Sequence, residues 1–364
     1  MNAHGRILAV TGALAALALL PATAGANTAS LHHLRMYKAE QHVTIGEAET
    51  NTYTLKCDSP DYAVDGMWRV DQVAYNPQLD DFGPWDRFNG VDILQSEYTK
   101  FSSTSYGYTF KVSNNSEDDA QLKLFVTCLG ATTESAGSPA HTHTISPPVA
   151  GTATASNTGT DYQDSTNKGR WYSESSACPT GIAVAPGFRI DNGSAKIYRS
   201  YPKEAGEPPI GDPAGPDPVL DLTRWTWGFY SHVNTGLDIK TSIHCLDLTT
   251  GSSQSHVHKL KPKFRHNDRW DGSNQNLPHD STTSLRVNCG EQEKGLVGGF
   301  DVDPSLAFDV PAGGPYSFWY PHWFLGMDPQ IKSRNFYVQN TRPVLDSWIK
   351  LGVLCFNDRV GKQT

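Results

Sequence analysis

The sequence predicts an all-β fold, in the form of three tandem antiparallel β-sandwich-like repeats with one internal disulfide each. Three observations support this prediction. Charged residues make up only 19% of the 364 residues, whereas glycine, proline and aromatic residues are plentiful, which favours an extracellular β protein over a helical one. Short segments alternate between apolar and polar residues, as half-buried strands do. The six cysteines recur at regular intervals.

The cysteine intervals define the repeat. The three longer intervals are nearly equal and run from Cys57 to Cys128, from Cys178 to Cys245 and from Cys289 to Cys355. Because the number of cysteines is even and the N-terminus reads as an export signal, we expect disulfides, and we pair the cysteines within each interval. Closing a loop of roughly 70 residues would stabilise each repeat by about 4 kcal/mol.

Strand patterns recur at matched positions inside these intervals. An aromatic-led strand that ends in aspartate follows the first cysteine, and its aromatic residue is Trp68, Phe188 or Phe300. An alternating segment that ends in asparagine comes later, and a final strand carries the second cysteine. We expect the leading aromatic residue to be buried against the later strands of two packed sheets or a small barrel.

The pattern of a cysteine, a Gly-aromatic-x-Val-Asp strand, a variable loop, an aromatic-x-Val-x-Asn segment and a strand that ends in Val-x-Cys-Leu resembles a repeat of secreted bacterial proteins, especially of actinobacterial type. The resemblance covers about half of each repeat. It implies a β fold and a place outside the bacterial cell, and it carries no biochemical activity with it.

The chain divides into six predicted parts. An apolar run from Ile7 to Leu20, followed by Ala24-Gly25-Ala26, reads as a cleaved secretory signal, so we expect a secreted or cell-surface protein with no membrane span after cleavage. The parts are a signal peptide at 1–26, repeat 1 at 27–137, a Ser/Thr/Gly/Pro-rich linker at 138–168, repeat 2 at 169–250, a polar linker at 251–280 and repeat 3 at 281–364. We expect both linkers to be exposed connections or extended arms.

Aromatic residues in the variable central loops are candidate ligand-binding residues. They are Trp85, Tyr316, Trp319 and Trp323. Apolar rings with polar neighbours would form flat platforms for sugar rings. The alternative is that these aromatic residues cap the core of a small domain.

Two His-x-His elements are candidate metal ligands, and they comprise His141, His143, His256 and His258. Because alternate residues of an extended chain share a face, each element would present two imidazoles to one ion. The alternative is a polar linker strand that keeps an ancestral repeat sequence. Asp71, Asp191 and Asp303 also recur once per repeat, and we expect them to cap turns rather than bind calcium or act as catalytic acids.

The sequence favours a binding or adhesion protein of the cell exterior, with an extracellular glycan or surface polymer as partner. A structural subunit that self-assembles into an envelope, coat or filament is one alternative, and a hydrolase acting on an extracellular polymer is another. We predict no catalytic residue and no cofactor, since none of the common catalytic motifs occurs. The formal net charge of −8 does not favour nucleic acid as a partner.

Overall fold

The computed structural model describes residues 32–73, 90–116, 118–151, 160–163, 169–174, 177–193, 195–204, 220–231, 238–266, 281–302, 322–340, 349–357 and 359–360. Within these ranges 75% of the residues lie in strands and no helix is present, which confirms the all-β prediction. The same ranges therefore hold no helix long and apolar enough to cross a membrane. The predicted signal peptide, residues 1–26, lies outside the described residues.

The described residues form 20 strands. The first ten are β1 His32–Ile45, β2 Thr50–Lys56, β3 Tyr62–Val73, β4 Val91–Ser102, β5 Ser105–Asn114, β6 Ala120–Thr133, β7 Val149–Ala150, β8 Thr160–Gln163, β9 Gly169–Glu174 and β10 Ile182–Asn192. The other ten are β11 Lys196–Glu204, β12 Leu220–Ser231, β13 Asp238–Leu246, β14 Pro262–His266, β15 Ser281–Asn288, β16 Glu293–Val302, β17 His322–Gln330, β18 Ser333–Asn340, β19 Ile349–Asn357 and β20 Arg359–Val360.

These strands form three antiparallel sheets. Sheet I has the order β15-β18-β17-β3-β6-β1-β20, sheet II has the order β2-β5-β4-β10-β13-β7, and sheet III has the order β14-β19-β16-β11-β12-β9-β8. We divide the described chain into region one (32–133), region two (143–250) and region three (258–360). Each sheet combines strands from two of these regions. Sheet I joins regions one and three, sheet II joins one and two, and sheet III joins two and three.

Each sheet is continuous across a junction between two regions. The junction pairs are Gly326 with Arg69, Phe188 with Ser96, and Arg199 with Asp301. The strand that follows the first cysteine of each interval, β3, β10 or β16, always lies at the junction. Because sheets are shared between regions, the prediction of three tandem sandwich-like repeats is not confirmed in that form.

The leading aromatic residues of the repeat are buried, as predicted. Trp68 and Phe188 are each 3% exposed and Phe300 is 0% exposed. The Trp68 and Phe188 rings meet edge to face with centroids 5.9 Å apart. Since these residues lie on junction strands, their burial contributes to packing between regions as well as within them.

The three predicted disulfides are confirmed. They join Cys57 to Cys128, Cys178 to Cys245, and Cys289 to Cys355. Each disulfide closes one of the three long intervals, so both of its cysteines belong to the same region. The strands of that region are nevertheless divided between two sheets.

A fully buried ion pair joins regions one and three. The Arg334 guanidinium on β18 lies 3.6 Å from the Asp65 carboxylate on β3, and it also donates to the Leu296 carbonyl at 2.9 Å and the Thr127 hydroxyl at 3.1 Å. Burial raises the pKa of Asp65 to about 6, although the positive charge of Arg334 acts in the opposite direction.

Candidate metal centre

Four histidines from three separate segments of the chain converge. One potential ligand atom from each of His32, His143, His256 and His258 lies within 4.8 Å of all the others. His32, His143 and His258 are 0% exposed, whereas His256 is partly exposed. Three of these residues belong to the predicted His-x-His elements, so the structure brings both elements into one cluster.

A short hairpin positions the first His-x-His element. The segment 132–144 folds back on itself, with isolated bridges between Thr132 and Thr144 and between Ala136 and His141. The Ala136 and His141 backbones exchange two hydrogen bonds of 3.0 Å. The turn between them contains Gly137 with φ +94°, a conformation that favours glycine.

A second, tighter hairpin positions the other element. Bridges join Thr249 to Lys259 and Ser253 to His256. Gln254 and Ser255 form the turn, and both have positive φ, at 50° and 62°. Two successive left-handed residues are the geometry of a type I′ turn, whose twist matches that of a β-hairpin.

The two hairpins are anchored in the same way. The backbone N–H of His143 donates to the Thr133 hydroxyl at 3.0 Å, and that of His258 donates to the Thr250 hydroxyl at 2.9 Å. The aliphatic residue two positions later, Ile145 or Leu260, is 3% exposed in each case. These parts of the predicted linkers are therefore buried, and the expectation that both linkers are exposed connections is wrong here.

His32 completes the cluster from the start of β1. It pairs with Val360 of β20, and the neighbouring His33 carbonyl accepts a hydrogen bond of 2.8 Å from the Glu134 backbone N–H. Our sequence analysis did not select His32. The signal that could have found it is the spacing His32-x-Leu34, which matches His143-x-Ile145 and His258-x-Leu260 in ending on a buried aliphatic residue.

Backbone carbonyls fix the orientation of four imidazoles. The Nδ1–H groups of His32, His143, His141 and His256 donate to the carbonyls of Glu134, Gly251, Pro139 and Gln254, at 3.0, 3.0, 3.1 and 3.1 Å. A carbonyl only accepts, so the proton of each neutral ring lies on Nδ1 and the lone pair on Nε2. Metal-binding histidines typically have this arrangement, in which one ring nitrogen donates a hydrogen bond to the protein and the other is left to bind the metal.

The Nε2 atoms of His143 and His258 face each other at 3.1 Å. Two nitrogens bound to one tetrahedral zinc ion at 2.0–2.1 Å would be about 3.3 Å apart. The Nε2 atom of His32 is buried and has no hydrogen-bond partner in the described part of the chain. The spacing of His143 and His258 is thus close to what a single ion requires, and the Nε2 lone pair of His32 is available.

Burial favours the neutral forms of His143 and His32. It lowers the pKa of His143 to about 4, and the neighbouring imidazoles of His258 and His32 lower it further, although the hydrogen bond to Gly251 acts in the opposite direction. Burial also lowers the pKa of His32. A neutral imidazole at neutral pH retains the lone pair that a metal needs.

His141 is a fifth imidazole at the cluster. Its ring centroid lies 4.7 Å from that of His32 and 5.2 Å from those of His143 and His256. The rings of His256 and His258 are 5.0 Å apart. The two members of each His-x-His element therefore lie side by side, as the alternation of an extended chain predicts.

A second group of potential ligands comprises Cys289, Glu293 and Cys355. The two cysteines form a disulfide, so neither offers a thiolate. Among the described residues, this second group therefore has no thiolate ligand, and the histidine cluster is the candidate metal centre.

The aromatic candidates are not tested. Trp85, Tyr316 and Trp319 lie outside the described residues, and for Trp323 only the backbone is described, paired with Gln339 between β17 and β18. Asp71 forms ion pairs with Arg69 and Lys123. Asp191 pairs with Arg189 and Lys240 in the same way, so both aspartates join neighbouring strands, while Asp303 lies outside the described residues.

Comparison with known proteins gives no family assignment. The chain matches no protein-family model and no curated protein sequence.

Proposed function

We propose that this protein binds a divalent transition-metal ion through the imidazoles of His32, His143, His256 and His258. The observation that carries the proposal is the convergence of these four side chains from three segments of the chain, with donor atoms within 4.8 Å of one another. The burial of His32, His143 and His258 supports it. The carbonyl acceptors of the Nδ1–H groups of His32, His143 and His256 also support it, because they orient these rings.

The donor set indicates the class of ion. Every potential ligand in the cluster is an imidazole nitrogen, which suits zinc, copper and nickel. Calcium and magnesium require oxygen ligands, and neither a carboxylate nor a thiolate belongs to this group of donors. Three disulfides hint at an oxidising compartment, and we place the metal-binding role outside the cell.

We also propose that the three regions are copies of one repeat, with boundaries at the histidines. His32, His143 and His258 would then occupy equivalent positions, since each precedes a buried aliphatic residue by two places. Their backbone partners, Val360, Thr133 and Thr250, all stand five residues after the second cysteine of an interval. In this arrangement His32, near the start of the chain, supplies the histidine that follows repeat 3.

Metal binding to the purified protein tests the proposal. After chelator treatment, equilibrium dialysis against Zn²⁺ with elemental analysis should find about one ion per chain. The His143→Ala variant should lose at least about 100-fold in affinity, because changes even in outer-shell partners of metal ligands cost 10–100-fold.

The matched control is His42→Ala, because His42 is exposed on β1 and its side chain contacts Glu40. This variant should bind Zn²⁺ like the wild type. Circular dichroism of each variant checks that the strands are retained. Equal affinity in the wild type and a folded His143→Ala variant would overturn the proposal.

Adhesion or carbohydrate recognition stays a prediction from the sequence. It depends on Trp85, Tyr316, Trp319 and Trp323, whose side chains lie outside the described residues. Metal binding and adhesion are compatible, since the histidine cluster involves none of these aromatic residues.

A further inference from the structure

The three disulfides do not link the regions to one another. Each joins two cysteines of the same region. The regions are held together by shared sheets, through junction pairs such as Gly326 with Arg69. A cross-link between regions would therefore add a constraint that the disulfides do not provide.

The histidine cluster lies where the regions meet. His143 belongs to the hairpin between β6 and β7, and His256 and His258 belong to the hairpin between β13 and β14. These hairpins connect region one to region two and region two to region three. His32 lies at the start of β1, where region one pairs with β20 of region three. The cluster therefore draws ligands from all three places where two regions meet.

Two of these places orient their histidines in the same way. The Nδ1–H group of His32 donates to the Glu134 carbonyl at 3.0 Å, and that of His143 donates to the Gly251 carbonyl at 3.0 Å. Glu134 and Gly251 each stand six residues after the second cysteine of an interval. Equivalent parts of the chain thus leave an Nε2 atom to bind a metal at both places.

The composition and burial of the cluster favour a structural ion over a catalytic one. Structural zinc sites are closed by four protein ligands, whereas catalytic sites keep one position open for water or substrate. Four histidines offer donor atoms here. His32, His143 and His258 are 0% exposed, so the protein encloses most of the donor set.

We propose that the bound ion is structural and that it fastens the start of β1 to the two hairpins, which cross-links the three regions. The inference rests on the proposed function, since it assumes that the four imidazoles bind an ion. The linked segments are distant in sequence, and His143 and His258 are 115 residues apart. Metal links that close long loops are those expected to stabilise a fold most.

The start of β1 is the part that should depend most on the ion. In the described part of the chain, it pairs with the two residues of β20. A register shift between Leu34 and Met36 separates it from the long ladder that the rest of β1 forms with β6. Without the ion, residues 32–34 can therefore open while β1 from Met36 onwards stays in sheet I.

Hydrogen–deuterium exchange of the wild type, read by mass spectrometry with and without Zn²⁺, tests this role. An ion that binds the closed form more tightly than the open form slows exchange through that opening. We expect Zn²⁺ to slow the amides of residues 32–36 by about 10-fold or more. Exchange in β2, which contributes no ligand, should change by less than about twofold.

His32→Ala and its neighbour His33→Ala form a matched pair of variants, because His33 is not among the four proposed ligands. The Zn²⁺ effect on residues 32–36 should disappear in His32→Ala and persist in His33→Ala. Elemental analysis measures the Zn²⁺ bound by each protein, and circular dichroism checks that the strands are retained.

The wild type alone can overturn the inference. Bound Zn²⁺ that leaves the exchange of residues 32–36 unchanged, or that slows every strand equally, would contradict the cross-linking role and leave the proposed function standing. Undiminished protection of residues 32–36 in a folded His32→Ala protein would contradict it as well. Failure of the wild type to bind Zn²⁺ would instead overturn the proposed function.

Discussion

The imidazoles of the cluster are oriented by main-chain carbonyls rather than by carboxylates. Four Nδ1–H groups donate to backbone oxygens at 3.0–3.1 Å. A carbonyl fixes the ring and its tautomer without adding a negative charge. The positive charge of a bound ion would therefore stay uncompensated by these partners.

A histidine outside the cluster gives a prediction on pH. His244 packs against Tyr98 with ring centroids 3.9 Å apart, and burial lowers its pKa to about 4 from 6.5. Because the folded-state pKa is the lower one, this contribution to stability is complete above pH 6.5 and is lost as the pH falls towards 4. At 1.36 kcal/mol per pKa unit, the loss amounts to about 3 kcal/mol.

Replacement of His244 by phenylalanine should remove this pH dependence while it keeps a ring against Tyr98. Chemical denaturation at pH 7 and pH 4 measures the free energy of unfolding of both proteins. The wild type should lose up to about 3 kcal/mol more than His244→Phe over this range. Identical losses in the two proteins would show that His244 is not buried in its neutral form.

The individual strands could be predicted from the sequence because their signals are local. Alternating residues and matched cysteine intervals sufficed for the disulfide pairs and for the burial of Trp68, Phe188 and Phe300. The partners of the strands could not be predicted in this way. β3 pairs with β17 from a distant part of the chain, and alternation shows which face of a strand is buried but not which strand lies beside it.

The same limit applies to the candidate site. Both His-x-His elements were recognisable because two residues at spacing two form a local pattern. Their convergence depends on two hairpins that meet, with the Gly251 backbone N–H donating to the Thr144 carbonyl at 2.8 Å. His32 belongs to no His-x-His element, and it reaches the cluster through the pairing of β1 with β20 and with β6.

The close approach of β17 to β3 gives a prediction about the stability of the protein. Gly326 has φ +133°, and a Cβ atom there would lie 2.0 Å from the Trp68 carbonyl oxygen. Gly326→Ala would therefore combine an unfavourable backbone conformation with a clash between strands of different regions. We expect it to lower the free energy of unfolding by more than about 1 kcal/mol.

Gly46→Ala is the matched control, since a Cβ atom there would mainly meet the Glu49 carboxylate at 3.0 Å, the end of a flexible side chain. Denaturant titration of both variants compares their unfolding midpoints. A Gly326→Ala protein as stable as Gly46→Ala would mean that β17 does not approach β3 as closely as described.

In the molecule as a whole, the three sheets connect the three regions in a closed cycle. Every pair of regions shares one sheet, so no region can be removed without leaving two sheets incomplete. The ends of the described chain also meet, because His32 of β1 pairs with Val360 of β20. The histidine cluster includes residues from this meeting point, and an ion bound there would link the N-terminal strand to both hairpins.

The location of a bound ion tests the proposed metal site directly. Crystals of the metal-loaded protein, measured at the absorption edge of copper or zinc, would show the ion as a peak in the anomalous difference map. We predict a strong peak about 2.0–2.1 Å from the Nε2 atoms of His32, His143, His256 and His258. Absence of a peak at the cluster, or ions found only at exposed histidines outside it, would contradict metal binding by these four residues.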